Sequence, residues 1–96
     1  MNNAIFIHIY VNPKKGVSLE KVEEQMNLAI DWYRYENNSY LVYTTSNIEK
    51  WMGRLKPLVE SDGRLLIFEI KIQRRNGWMP KDFWEWLKMD RNNKLI

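Results

Sequence analysis

The sequence predicts an α+β domain with its elements in the order β-α-β-β-α-β and one further helix appended. Three observations carry this. Short, β-branched apolar runs stand at residues 4–11 and 64–72. Two aromatic-rich runs at residues 32–36 and 39–45 are separated only by an Asn-Asn pair. Between these strands lie two stretches with apolar residues at helical spacing, each preceded by a capping signal.

Residues 4–11 read AIFIHIYV. Ile5, Ile7, Ile9 and Val11 alternate with Phe6, His8 and Tyr10, and His8 alone is polar. A run this apolar predicts a central strand, covered on at least part of both faces. Asn12-Pro13-Lys14-Lys15-Gly16 follows as a loop punctuated by Pro13 and Gly16. Ser18 is a good N-cap, and Val17 and Val22 stand at the two positions of a hydrophobic staple. Leu19, Val22, Met26, Ala29 and Ile30 then recur at helical spacing, so the first helix is expected over 18–30.

The runs WYRYE (32–36) and SYLVYTT (39–45) flank Asn37-Asn38. Asn tolerates positive φ, which suits a tight hairpin turn. One long strand with a bulge is the alternative. Ser46-Asn47-Ile48-Glu49 matches a capping box with Ser46 as the cap. Ile48, Trp51, Met52, Leu55 and Val59 make one apolar stripe, and Pro57 is expected to kink or end that helix. After the turn Ser61-Asp62-Gly63, residues 64–72 (RLLIFEIKI) put Leu66, Phe68, Ile70 and Ile72 on one face, with Glu69 and Lys71 on the other. Two helices on one face of an antiparallel sheet, in this order, give the ferredoxin-like, split β-α-β arrangement. The chain is expected to be one domain over 1–96, with a core at 4–72 and a helical extension at 78–89.

That extension lies in GWMPKDFWEWLK, residues 77–88, which holds three of the five tryptophans. Pro80 suits the first helical position and Asp82 the first turn, where the helix dipole favours an acid. Phe83, Trp86 and Leu87 share a face, flanked by Trp84. A helix of about ten residues is marginal alone in water, so it has to dock. Trp78, Phe83, Trp84, Trp86 and Leu87 are the candidate docking residues, on the chain's own sheet or on a second copy. Stacking on a base or nucleotide is the rival use of these rings.

Composition bounds the function. A chain of 96 residues suits one domain and buries only roughly 60–65% of its unfolded surface, so dimerisation would help cover apolar area. The net charge of +3 permits contact with nucleic acid but is weak for a dedicated polyphosphate binder. Cysteine is absent, which excludes disulfides and thiolate metal sites and fits a cytosolic, cytoplasmic setting. No apolar run approaches the ~20 residues that span a membrane, and no membrane partner is expected.

No motif points to catalysis or to a bound cofactor. His8 is the sole histidine, with no second His or Cys to complete a zinc site, and is expected to pack or hydrogen-bond within its strand. Lys14 and Lys15 beside Gly16 precede a helix and are candidates for holding a phosphate, against a plain solvated loop. Arg74 and Arg75, with Lys71, are candidates for nucleic-acid backbone contact, against ordinary surface charge. Arg34 stands among Trp32, Tyr33 and Tyr35, a pattern that serves as a stacking surface or as packing under the terminal helix. The acids Glu36, Asp62, Glu69 and Asp82 are scattered, with no spacing that makes a catalytic pair.

Several segments together resemble a known family: Trp32-Tyr33-Arg34-Tyr35, Asn38-Ser39-Tyr40-Leu41-Val42, Leu55-Lys56-Pro57, Asp62-Gly63-Arg64-Leu65-Leu66, and the Gly77-Trp78-Met79-Pro80-Lys81 to Trp84-Glu85-Trp86-Leu87 ending. The stretch from about 30 to 90 is similar to the SinR-like family of small bacterial and phage proteins. That family resembles the second CRISPR-associated protein of spacer acquisition. The resemblance implies a homodimer of ferredoxin-like subunits. In the CRISPR relatives an Asp following a Tyr at the end of the first strand is taken to hold a divalent metal for phosphodiester cleavage. Here Tyr10 is followed by Val11 and Asn12, and the carboxylate is missing. Asn12 is neutral and a poor replacement.

The expected function is therefore a noncatalytic homodimeric binding module in a phage or bacterial defence context, with Tyr10, Asn12, Lys14, Lys15, Arg34, Arg74 and Arg75 as candidate binding residues. Its ligand would be nucleic acid, a nucleotide or a partner protein. A counter-defence protein that sequesters a nucleotide signal or blocks a host immune protein is one alternative. A metal-dependent endoribonuclease is the other.

Overall fold

The computed structural model describes residues 3–89 and 91, so the extreme ends of the 1–96 domain lie outside the described residues. Seven elements follow one another: β1 (Ile5–Asn12), α1 (Leu19–Met26), β2 (Asp31–Glu36), β3 (Ser39–Thr44), α2 (Ile48–Val59), β4 (Arg64–Ile70) and α3 (Lys81–Lys88). The four strands form one sheet in the order β2-β3-β1-β4, and every neighbouring pair is antiparallel. The domain is a small α+β fold.

Alternation along β1 sets the two faces. Ile7, Ile9 and Val11 are fully buried, and with Val42 and Tyr40 of β3 they pack against Val22 and Met26 of α1 and Trp51, Leu55 and Val59 of α2. Phe6, His8 and Tyr10 point the other way. There Phe83, Trp86 and Leu87 of α3 form a second cluster with Leu41, backed by Phe6, Tyr33, Tyr35 and Ile70. The sheet therefore has helices α1 and α2 on one face and α3 on part of the other. The terminal helix docks on the chain's own sheet.

Several expectations need correction. The first helix stops at Met26, not Ile30. Asn27 caps it, its N–H bonded to the Glu23 carbonyl at 3.0 Å, and its Oδ1 accepts from Trp32 Nε1 at 2.9 Å. The chain has to reverse there to enter β2. The cap of α2 is Asn47, whose side chain accepts from the Lys50 N–H at 2.8 Å, and not Ser46. Nor does Pro57 end α2, which continues to Val59. Pro57 and the carbonyl it leaves unpaired, four residues back at Gly53, lie on the exposed side, where water can satisfy that oxygen. Pro80 is the cap of α3 rather than its first residue, because its ψ of 154° is extended.

The hairpin forms at Asn37-Asn38, so the alternative of one long strand is overturned, and the β2-β3 ladder carries an irregularity between Arg34 and Glu36. Neither Asn adopts positive φ. Asn38 instead clasps β1: its carbonyl accepts from the Val11 N–H at 2.8 Å and its side-chain Nδ2 donates to the Val11 carbonyl at 2.9 Å. In the Ser61-Asp62-Gly63 turn the left-handed residue is Ser61, with φ of 95°. Gly63 is needed for space, since a Cβ there would stand 2.6 Å from the Asn12 carbonyl and 2.8 Å from Val59 Cα.

Candidate interaction surface

The face of the sheet opposite α1 and α2 carries most of the unusual side chains. Register places Phe6 beside Tyr43 and Ile70, His8 beside Leu41 and Phe68, and Tyr10 beside Ser39 and Leu66. Tyr33 and Tyr35 of β2 complete it. The result is an aromatic surface running across all four strands.

Both ends of α3 are fastened to β2. At its first turn Asp82 accepts a 2.7 Å bond from the Tyr33 hydroxyl, which raises the Tyr33 pKa, with smaller pushes from burial and from the charge of that carboxylate. Just past its last turn Arg91 reaches Asp31 at 3.3 Å, and its guanidinium donates to the Trp86 and Met89 carbonyls. The same guanidinium lies over the Trp86 ring, 4.3 Å from its centroid, with Phe6 and Tyr43 beyond. Cations suit the end of a helix, where carbonyls lack partners. Between these fastenings Phe83 meets Tyr33 edge-on at 5.5 Å, and Trp86 meets Phe6 edge-on at 6.2 Å.

His8 sits mid-sheet at the margin of this cluster. Its Nε2 is 2.5 Å from the Tyr35 hydroxyl, and burial holds its imidazole below the usual pKa. This is the packed, hydrogen-bonded strand histidine that the sequence suggests.

Helix α3 does not cover the whole face. Leu66 and Phe68 remain about half exposed, at 49% and 52%, next to the half-buried Tyr10. They lie on β4, which is an edge strand. On the other side of that same strand Met52 of α2 is 43% exposed and lines an open hollow of about 330 Å³ with Ile48, Leu65 and Ile67. Glu49 also lines that hollow and Glu69 follows on the same face of the strand, so the apolar part of the edge is residues 65–68 together with Met52.

The candidate binding residues do not converge. Asn12 is exposed at the end of β1, opposite Arg64, and Lys14 and Lys15 follow it. Arg74 and Arg75 lie past β4, at the end of the sheet where β1 begins. Arg34 is on the opposite face, paired with Glu23 of α1 at 3.7 Å, so it is no neighbour of the outer aromatic surface. The phosphate-loop reading of Lys14 and Lys15 is weakened by an internal acid: the Lys15 N–H is directed at Asp62 Oδ1 at 3.3 Å, and the Lys14 N–H bonds the Leu58 carbonyl. Among the docking candidates, Phe83, Trp86 and Leu87 are buried and Trp84 is half-buried. Trp78 is fully exposed and takes no part in holding α3.

Arg91 and the Leu66–Phe68 strip are absent from the sequence-derived candidates. A lone Arg just past an aromatic helix was the only hint of the first. For the second, Leu65 and Ile67 alternate with Leu66 and Phe68, so apolarity alone did not say which pair would be covered. Among the described residues no group of three His, Cys, Asp or Glu side chains stands together to hold a metal ion, and no helix is long and apolar enough to cross a membrane. No protein-family model, curated protein or solved structure matches the chain.

Proposed function

We propose that the chain is a noncatalytic binding module that works as a homodimer, with two subunits joined along β4. The observation that carries this reading is the edge of β4, flanked by half-exposed Leu66 and Phe68 on one side and Met52 on the other. Long apolar edge strands invite pairing, and unguarded ones are usually blunted by charge or Pro. Here the charges of β4, Arg64 and Glu69, stand toward its two ends, and the four residues between them, 65–68 (LLIF), carry neither charge nor Pro. A second copy is the natural occupant, because a chain this short gains most from added apolar burial.

The strand order β2-β3-β1-β4, with antiparallel neighbours, supports the ferredoxin-like assignment, since the split β-α-β plan places the first and third strands at the centre. The residues resembling the SinR-like family build α3 and β2–β3, and we include membership of that family, and a cytoplasmic role in a phage or bacterial defence setting, in the proposal. Asn12 in place of a carboxylate favours binding over phosphodiester cleavage.

Native mass spectrometry with light scattering tests this. The expected result is a dimer that Phe68→Glu converts to a folded monomer, as judged by unchanged far-UV circular dichroism. A wild-type monomer at tens of micromolar overturns the dimer. Chelator-sensitive cleavage of RNA in Mg²⁺ or Mn²⁺ overturns the noncatalytic reading.

A further inference from the structure

Between β4 and α3 the chain passes through residues 71–81, KIQRRNGWMPK, with four cations and no acid. Among the described residues, this segment holds the one large ring that the fold leaves entirely in water. Trp78 is 100% exposed. Exposing a tryptophan forgoes roughly 1.5–3 kcal/mol or more of burial, so a single large ring standing clear of a packed cluster calls for a use.

Its surroundings suggest one. Trp78 borders an open groove of about 320 Å³ lined by the buried Leu41, Phe83 and Leu87 and by Trp84, with Lys71 and Arg75 also in its wall. A second concavity, lined by Gln73, Arg74, Arg75 and Asn76, adjoins it and shares Arg75 and Asn76. Arg75 uses one N–H on the Ile72 carbonyl at 2.8 Å, which aligns its guanidinium and leaves further donors. No acid is among the described residues that line either concavity. The nearest acid along the chain, Glu69, pairs with Ile7 in register and so belongs to the opposite face of the sheet, while Asp82 is engaged with Tyr33 and Glu85 with Lys81 at 3.9 Å. An apolar slot with a free indole, beside unopposed arginines, has the chemistry for a base and its phosphate.

We infer that residues 71–78 bind single-stranded nucleic acid, with one base stacked on Trp78 or seated in the groove beside it and the flanking phosphates on Arg74 and Arg75. Stacking platforms joined to a cationic track bind single strands with little sequence preference. A duplex buries its base faces and would offer only phosphates. The inference rests on reading the chain as a binding module, but not on its dimerisation, because the Trp78 groove shares no lining residue with the hollow beside Met52 and includes neither Leu66 nor Phe68.

The test is fluorescence anisotropy with a fluorescein-labelled 20-mer of thymidine and its uridine RNA counterpart, at 50 mM and 200 mM salt. Binding is expected in the micromolar range at low salt, weaker for the matching duplex. Trp78→Ala should weaken it about 5- to 150-fold, the range of a lost base stack. Arg74→Ala with Arg75→Ala should reduce the slope of log affinity against log salt by about 1.4, for two phosphates on a single strand. Lys50→Ala, an exposed cation on α2, should leave affinity within about twofold. Equal affinity for duplex, or an unchanged affinity in Trp78→Ala, overturns the inference. Light scattering on the same samples separates the two readings: a monomer that binds the strand sinks only the dimer, and a dimer that ignores it sinks only this site.

Discussion

Arg91 and Asp31 stand sixty positions apart, yet their side chains meet at 3.3 Å, with Arg91 only 3% exposed and Asp31 16%. This contact joins the residue just past α3 to the first residue of β2. It converts an appended helix into a part of the fold, because the same guanidinium also holds the carbonyls that end α3 and covers the Trp86 ring. Removing one partner of a buried pair leaves the other charge uncompensated, at a cost of about 3–5 kcal/mol. Arg91→Ala is therefore expected to lower the unfolding free energy, measured by urea titration, by that much, and Arg91→Lys to recover little, since an ammonium neither forks nor stacks. Asp31→Asn combined with Arg91→Met should lie closer to wild type than Arg91→Ala does. A wild-type midpoint for Arg91→Ala refutes the role given to this pair.

Trp86 offers a sharper contrast. Its ring is 8% exposed and packed on Phe6, Tyr33 and Arg91, but its Nε1 is buried with no acceptor among the described residues. Trp86→Ala should cost about 3–5 kcal/mol by opening a cavity. Trp86→Phe keeps an aromatic ring and removes an unsatisfied donor whose burial costs roughly 1–3 kcal/mol. It is expected to lose less than about 1.5 kcal/mol. Trp84→Ala, at a half-buried site, should fall between them. Near-equal losses for Trp86→Phe and Trp86→Ala would mean that the indole N–H has an acceptor.

The two variants also show what was readable in the chain. Helix α3 and its buried face followed from Phe83, Trp86 and Leu87 at helical spacing, and the core face of β1 from strict alternation. What covers each face did not follow. Leu65 and Ile67 are partly covered because α2 and the core pack against them, a fact of tertiary placement that two equally apolar strand faces cannot encode. Lys14, Lys15, Arg74 and Arg75 look alike as basic loops, but the sheet sends them to opposite ends. Asn47 and Ser46 are equally good caps, and one residue of phase decides between them. Arg91 drew its importance from Asp31, and nothing local to either residue announces the other.

Two glycines should respond to alanine with opposite signs. Gly53 is an exposed position inside α2, with nothing within 4 Å of a built Cβ. Gly53→Ala is expected to stabilise by about 0.5–1 kcal/mol through helix propensity. Gly63 is pressed between the Asn12 carbonyl and the backbone of Val59, both closer than 3.0 Å to a Cβ. Gly63→Ala has to push β4 from the end of β1, at a cost of roughly 1–3 kcal/mol. Thermal melts of the two variants, run side by side, check both signs. A neutral Gly63→Ala would show that the turn carrying Ser61 can relax outward.

Tyr40 predicts how the fold fails in base. Its side chain is fully buried, and its hydroxyl donates to Glu23 at 3.3 Å. Burial chiefly, then the Glu23 carboxylate, pushes its pKa up from 10.0 to about 12, against a smaller opposing pull from Arg34. The folded state therefore keeps this proton after the unfolded chain has released it. The stabilising contribution is complete below pH 10. Above pH 10 the unfolded state binds fewer protons, so stability falls, by up to about 1.4 kcal/mol per pH unit, until the folded tyrosine also ionises near pH 12. Other groups titrate in that range, so the decisive measurement is the difference between wild type and Tyr40→Phe in urea unfolding at pH 8, 10 and 11. The variant should be less stable than wild type by a roughly constant amount up to about pH 9.5, and the gap should narrow or reverse by pH 11. Parallel curves throughout would show that Tyr40 ionises alike in both states and that Glu23 exerts no hold on its proton.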